Sequence, residues 1–277
     1  MLRSIENLYR NPVIARDGEI GRVADVYFDD EAWGVRYLIV ETGKWFGRKP
    51  VLISPYSFEP ASPDSGTIKL GLTRKQVKDS PGIDTHKPVS RQHEIDYLGY
   101  YGYPAYWGGA YAWGMGAFPT FGSMDAAPDV ERDESMRGLE DEEEYEECAG
   151  DTHLRSARAI KGYGIEAADG GIGHVHGFVF DDAAWVIRYL IVDTRNWWPG
   201  GREVLIATRW LNHIDWIGST VSTALTRDEV RTSPPFSGTL PIDRSFEERL
   251  HKHYGQHEYW LPDGSEDSAV IEPVSER

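Results

Sequence analysis

Cysteine is almost absent. Cys148 is the only one in the chain, which excludes an internal disulfide framework and a multi-cysteine zinc site. It sits among Glu143, Glu144, Glu146 and Glu147, neighbours that disfavour a thiolate, so a sluggish thiol is expected. Met1 to Asn7 hold no apolar run and no small-residue cleavage site. No secretory leader is therefore expected, and a reducing, cytoplasmic setting is the default. Basic charge is also scarce. The 277 residues carry a formal net charge of −16, and residues 108–152 alone account for −11 of it. No basic patch offers itself to phosphates, so direct nucleic-acid binding is not expected. What remains is ordinary material for packed cores, with 40% hydrophobic and 27% charged residues.

The chain repeats itself. Leu2-Arg3-Ser4 returns as Leu154-Arg155-Ser156, and Asp17-Gly18-x-Ile20-Gly21 as Asp169-Gly170-x-Ile172-Gly173. Phe28-Asp29-Asp30-x-Ala32-Trp33 returns as Phe180-Asp181-Asp182-x-Ala184-Trp185, and Arg36-Tyr37-Leu38-Ile39-Val40 as Arg188-Tyr189-Leu190-Ile191-Val192. With one single-residue insertion near Trp198-Pro199-Gly200, 39 of the 106 positions in 2–107 are identical. Two copies of one domain, 1–107 and 153–262, are expected. A linker spans 108–152 and a polar tail 263–277.

Each copy reads as mainly β. Asp-Gly tolerates the positive φ of tight hairpin turns, and Arg22 to Phe28 is a plausible half-buried strand. Val35 to Val40 is a continuous apolar run suited to a strand covered on both faces. Val51-Leu52-Ile53 and Thr67 to Leu70 add two more, a spacing that suggests a small barrel or sandwich. The pattern then turns helical. Thr73 is a good N-cap for Arg74 to Lys78, with Pro81 as the stop. Ser90 caps a second helix from Arg91 to about Leu98, with Gly99 and Gly102 expected to end it.

Taken together, these motifs resemble the PRC-barrel family, the β-barrel of the photosynthetic reaction centre H subunit's cytoplasmic domain. The matching signature is Asp-Gly-x-Ile-Gly-x-Val, Phe-Asp-Asp-x-x-Trp, Arg-Tyr-Leu-Ile-Val and Val-Leu-Ile, in both copies. Ser80 to Tyr103 is similar to the extension of free-standing bacterial PRC-barrel proteins. The resemblance implies two small β-barrels in tandem, each with a short helical C-terminal extension. It also implies a protein-contacting module, since the barrel packs beneath a membrane complex in the H subunit and docks on a ribosomal protein in a ribosome-maturation factor. Asp17, Gly18, Gly21, Arg36 and Tyr37, with Asp169, Gly170, Gly173, Arg188 and Tyr189, are its structural motif residues.

Catalytic candidates are poor. Asp29-Asp30 and Asp181-Asp182 read as turn-forming acids with Arg36 and Arg188 as partners, and nothing nearby supplies a nucleophile. His174 and His176 share a strand face and His251, His253 and His257 cluster later. Copy 1 has no histidines at these positions, so they are expected at the surface, with no metal and no cofactor. The Asp-Gly glycines make no phosphate loop.

Residues 97–124 are the unusual stretch, with no formal charge, ten aromatics and seven glycines. Leu98 is their only Leu, Ile or Val, and the glycines and prolines weaken a helix, so a membrane span is disfavoured. Two readings remain: packing on its own barrel, or an aromatic contact surface built from Tyr100, Tyr101, Tyr103, Tyr106, Trp107, Tyr111 and Trp113. Asp125 to Glu147 then holds 12 acids and reads as a solvated tether.

The sequence therefore points to a non-catalytic adaptor for an unidentified protein, its two barrels packed about a pseudo-twofold axis as an intra-chain pseudo-dimer. Self-association into a homo-oligomer stays open. The alternative is a peripheral membrane component related to photosynthetic electron transport, and an enzyme comes third.

Overall fold

The computed structural model describes residues 1–43, 46–59, 66–82, 89–107, 111–114, 117–119, 153–238 and 242–260. The expectations for Cys148, the acidic tether and the 263–277 tail fall outside them. The first repeat supplies β1 (Leu2–Ser4), β2 (Pro12–Ala15), β3 (Gly18–Asp29), β4 (Val35–Thr42), β5 (Pro50–Ile53) and β6 (Ile68–Lys69). Helices α1 (Arg74–Asp79) and α2 (Arg91–Tyr101) follow. The second repeat begins with β7 (Leu154–Ser156), α3 (Ala157–Ile160), β8 (Gly164–Ala167), β9 (Gly170–Asp181) and β10 (Val186–Asp193). It continues through β11 (Glu203–Ala207), β12 (Leu211–Asp215) and β13 (Thr220–Thr223) to α4 (Arg227–Thr232) and α5 (Arg244–His253). The fold is mainly β.

Both repeats use one strand order. The first sheet runs β5-β4-β3-β2-β6 and the second β11-β10-β9-β8-β13-β12, with β2–β6 and β8–β13 as the parallel pairs. Local sequence explains the shared details. Gly18 and Gly170 take φ of +141° and +129° at the Asp-Gly turns, conformations that cost glycine little. The preceding Asp17 and Asp169 carboxylates accept the Arg74 and Arg227 N–H groups, each at 2.7 Å, which pins α1 and α4 to the turns. Thr73 with Gln76, and Thr226 with Glu229, form capping boxes. Gly21 is required for a different reason. A Cβ there would lie 1.9 Å from the Glu41 carbonyl oxygen, and at Gly173 one would lie 2.4 Å from that of Asp193. Helix α2 does not stop at Gly99. It continues to Tyr101 and closes on Gly102 at φ +69°, because Tyr97 and Tyr101, one turn apart, pack their rings tilted at 4.9 Å and bury both.

The repeats exchange their first strands. β1 pairs with β9 of the second repeat, Leu2 opposite Asp181 and Ser4 opposite Val179. β7 returns the contact on β3, Leu154 opposite Asp29 and Ser156 opposite Tyr27. Near the centre Val35 N–H donates to Trp185 C=O at 2.7 Å, and Ile187 N–H to Trp33 C=O at 2.8 Å. These strand and seam contacts come in matching pairs. β3 reaches both neighbours because its register against β4 slips at Val23/Asp25 and at Tyr27/Phe28, bulges that bend a long strand. Its first half serves β2 and its last residues serve β7.

One hydrophobic core runs through both repeats. Leu38, Val40, Ile53, Leu190, Val192 and Ile206 are fully buried. Across the seam Phe28 meets Phe178 at 5.8 Å and Phe58 meets Trp185 at 4.8 Å. Neither repeat has a core that ends at its own boundary.

Candidate functional site

The densest gathering of polar side chains lies where each extension helix covers its sheet. In the first repeat the Arg-x-x-Glu of α2 places Glu94 fully buried against β4. Tyr37 donates to Glu94 Oε1 at 3.0 Å, and the Tyr106 hydroxyl donates to the same oxygen. Glu94 Oε2 faces Arg91 at 3.2 Å and His153 Nε2 at 2.9 Å. Arg91 also lies over the Trp107 ring, 4.2 Å from its centroid. Burial, followed by the adjoining Glu94 carboxylate, pushes both the Tyr37 and Tyr106 hydroxyls well above the ordinary phenol range.

Beside this hub sits a second buried charge pair. Arg36, 1% exposed, bonds Asp29 Oδ2 at 2.9 Å, donates to the Ala112 carbonyl and lies between the rings of Tyr106 and Trp113. Burial works to raise the Asp29 carboxyl, but Arg36 and the N–H groups of Ala32 and Glu31 outweigh it and hold it below its usual value. Trp113 in turn donates from Nε1 to Ala184 C=O of the second repeat at 2.7 Å.

The second repeat rebuilds the hub at matching positions. Tyr189 and Tyr259 donate to Glu247 Oε1 at 2.8 and 2.9 Å, Arg244 pairs with Oε2 at 2.9 Å, and Arg244 lies 4.0 Å over Trp260. Burial raises Glu247 above the ordinary glutamate range, opposed by its two tyrosine donors. The histidines differ. The first hub takes His153 from the start of the second repeat, whereas the second takes His251 from its own helix, with Nε2 at 3.0 Å from the Tyr189 hydroxyl.

That placement of His251 corrects the expectation of surface histidines. It is fully buried, packed against Trp210 at 4.9 Å, because it lies one helical turn after the buried Glu247 on the same inward face of α5. Desolvation by this burial lowers its pKa from the usual imidazole value. His174 stands half-buried 4.0 Å from Asp193, and His176 exposed 3.7 Å from Glu203. No group of three metal-ligating side chains converges among the described residues.

Residues 2–70 match the family model of the PRC-barrel domain. The first repeat carries a PRC-barrel domain. Comparison with curated proteins gave no match. The PRC-barrel stretch contains Asp17, Gly18, Gly21, Asp29, Arg36 and Tyr37, while Glu94, Arg91, Tyr106 and His153 all lie beyond it. The hub is thus where later chain closes onto the PRC-barrel domain.

The seven aromatics of the expected contact surface divide. Tyr101, Tyr106 and Trp113 are buried within the chain, and Tyr103 and Trp107 are half-buried, Tyr103 hydrogen-bonded to Ser57 at 2.8 Å. Tyr100 and Tyr111 remain exposed, at 43% and 59%. Aromatic composition alone had no means of separating the two groups. The hub glutamates were not singled out from the sequence, although Arg91-x-x-Glu94 and Arg244-x-x-Glu247 recur in helices that otherwise diverge.

Proposed function

We propose that this chain is a non-catalytic interaction module, an adaptor in which a second PRC-type barrel, residues 153–262, is fused to the first. The second assignment rests on the shared strand order, the recurring signature and the rebuilt hub. The adaptor reading is carried by one observation: in both hubs the glutamate is buried and bonded to tyrosine and arginine side chains of the same chain. Such buried networks specify and tie structure, and the recurrence in both repeats suits a fastening of helix to sheet. Function then lives on outer surfaces, in a cytoplasmic setting.

The test is capture from native lysate by the full chain and by a version whose residues 108–152 are replaced with a neutral Gly/Ser linker. Retention of one stoichiometric protein by either version supports the adaptor. Turnover of a co-purifying small molecule with no retained protein overturns it. The second reading, a peripheral membrane component, is favoured by the exposed rings of Tyr111 and Phe118, 59% and 57% exposed. No helix among the described residues is long and apolar enough to cross a membrane. Flotation with liposomes separates the readings, since an adaptor stays in solution and a peripheral component floats.

A further inference from the structure

The strand exchange creates one more feature. Delivering β7 to the edge of β3 sets helix α3 of the second repeat beside the outer face of the first sheet. A groove of about 620 Å³ opens between them, a volume in the range of small-molecule sites. Tyr27, Ile39 and Pro50 give it an apolar floor. Its rim is charged: Glu41 on β4, Arg48 on the turn before β5, and Arg158 at the first turn of α3. All three are exposed. Glu41 and Arg48 have no ion pair or side-chain hydrogen bond among the described residues. Arg158 lies over the Tyr9 ring at 4.6 Å, and its backbone N–H reaches Asp25 at 3.4 Å. Asp25 is already occupied, accepting Ser156 Oγ–H at 2.5 Å and Val26 N–H at 2.7 Å.

The second repeat shows what closing this surface looks like. The counterpart of Glu41 is Asp193, and that of Gly43 is Arg195. The Arg195 guanidinium lies across β10 and β11, bonding Asp193 at 2.6 Å and Glu203 at 3.2 Å. Pro50 replaces Glu203 in the first repeat, and Glu6 replaces Arg158, where it is neutralised by Lys161 at 2.8 Å. Without the Arg195 side chain, Glu41 has no such clamp among the described residues, and two guanidiniums stand at the other rims.

We propose that this groove binds a zwitterionic small molecule with an apolar body, of the amino-acid or short-peptide class. Glu41 takes its ammonium, Arg48 and Arg158 its carboxylate, and Tyr27, Ile39 and Pro50 its aliphatic part. Opposite charges around one apolar floor favour a ligand with both signs over a simple anion or cation, each of which would bring one like-charged neighbour. Because the walls come from both repeats, occupancy also holds the exchanged arrangement together.

Isothermal calorimetry on the full chain tests this with three probes: L-leucine, leucyl-leucine, and N-acetyl-L-leucinamide, which lacks both charges. The expected result is saturable one-to-one binding of the amino acid or the dipeptide, and the stronger of these identifies the source. The capped probe binds at least tenfold more weakly. Gly43→Arg, which restores the clamp seen in the second repeat, abolishes binding. Arg48→Ala, at an exposed position, weakens it at least fivefold, and with Glu41→Gln it decides the matter should Gly43→Arg fail to fold. The proposal is overturned if neither zwitterion saturates, if the capped probe binds equally, or if the folded variants bind as the parent does. None of these results bears on the adaptor reading, which uses other surfaces.

Discussion

Arg155 donates from Nε to the Asp30 carboxylate at 2.7 Å, joining the first strand of one repeat to the hairpin turn of the other. Its counterpart, Arg3 on Asp182 at 2.6 Å, does the same in the opposite direction. The less exposed pair is Arg155–Asp30, with side chains 25% and 14% exposed against 36% and 27%. Double-mutant cycles to alanine, read by urea unfolding, should therefore give coupling of up to about 1 kcal/mol for Arg155–Asp30 and less for Arg3–Asp182. The reverse order would mean that burial does not govern the strength of these seam pairs.

Glu94 ties two tyrosines, an arginine and a histidine into the seam, so its removal strands several buried groups at once. Glu94→Ala is expected to cost about 3–5 kcal/mol of unfolding free energy. Glu94→Gln, which keeps an acceptor for Tyr37 but not the charge facing Arg91, should cost less. Urea titration of both variants checks the order, and an alanine cost below about 1 kcal/mol would remove the hub from any fastening role.

Trp33 and Trp185 occupy the left-handed region, at φ 57° and 52°, where a non-glycine residue is strained. Trp33 is kept there by its stack on Phe28 at 5.1 Å. Both Trp33→Ala and Trp33→Gly lose that stack, but only glycine also relieves the backbone. The glycine variant should be more stable than the alanine variant by about 1 kcal/mol in thermal unfolding. An alanine variant as stable as the glycine one would show that the backbone relaxes once the ring is gone.

At Gly21 an added methyl meets the Glu41 carbonyl carbon as well as its oxygen, so nothing flexible can yield. Gly21→Ala should lower the melting temperature sharply, with a loss above about 2 kcal/mol. Gly173→Ala, with its oxygen 2.4 Å rather than 1.9 Å away, should cost less. Melting curves that rank the two the other way contradict the close-approach argument.

Burial raises the Asp25 carboxyl above its usual value, and the Ser156 hydroxyl with the Val26 and Arg158 N–H groups only partly offsets this. The folded protein then holds the proton more tightly than the unfolded chain. Stability from this group falls as pH climbs from the ordinary aspartate value, about 3.9, through the raised one. Asp25→Asn should consequently raise the melting temperature more at pH 7 than at pH 4. An equal change at both pH values would show that Asp25 titrates normally.

Much of this architecture was legible in the sequence. The Asp-Gly turns, the apolar strand from Val35 to Val40 and the Thr73 and Ser90 caps are local chemistry, and local chemistry is what a sequence displays. The exchange itself was not readable, because Leu-Arg-Ser matches Leu-Arg-Ser whether each segment lies on its own sheet or on its neighbour's. Nor was the division of the aromatics, since the burial of Tyr106 depends on Glu94 and Arg36, which are far from it in the chain. The hub glutamates left a trace in their shared Arg-x-x-Glu, but its meaning requires Tyr37 and Tyr189 to be placed beside it.

The exchange also imposes an order of events during synthesis. β1 is made well before its sheet partner β9, which runs to Asp181. At typical elongation rates of about 5–20 residues per second, the N-terminal strand waits on the order of ten to forty seconds for a neighbour. The edge of β3 likewise stays unpaired until β7 emerges. A nascent chain of this protein therefore carries an incomplete first half well past its own final residue, and both halves reach their finished form together.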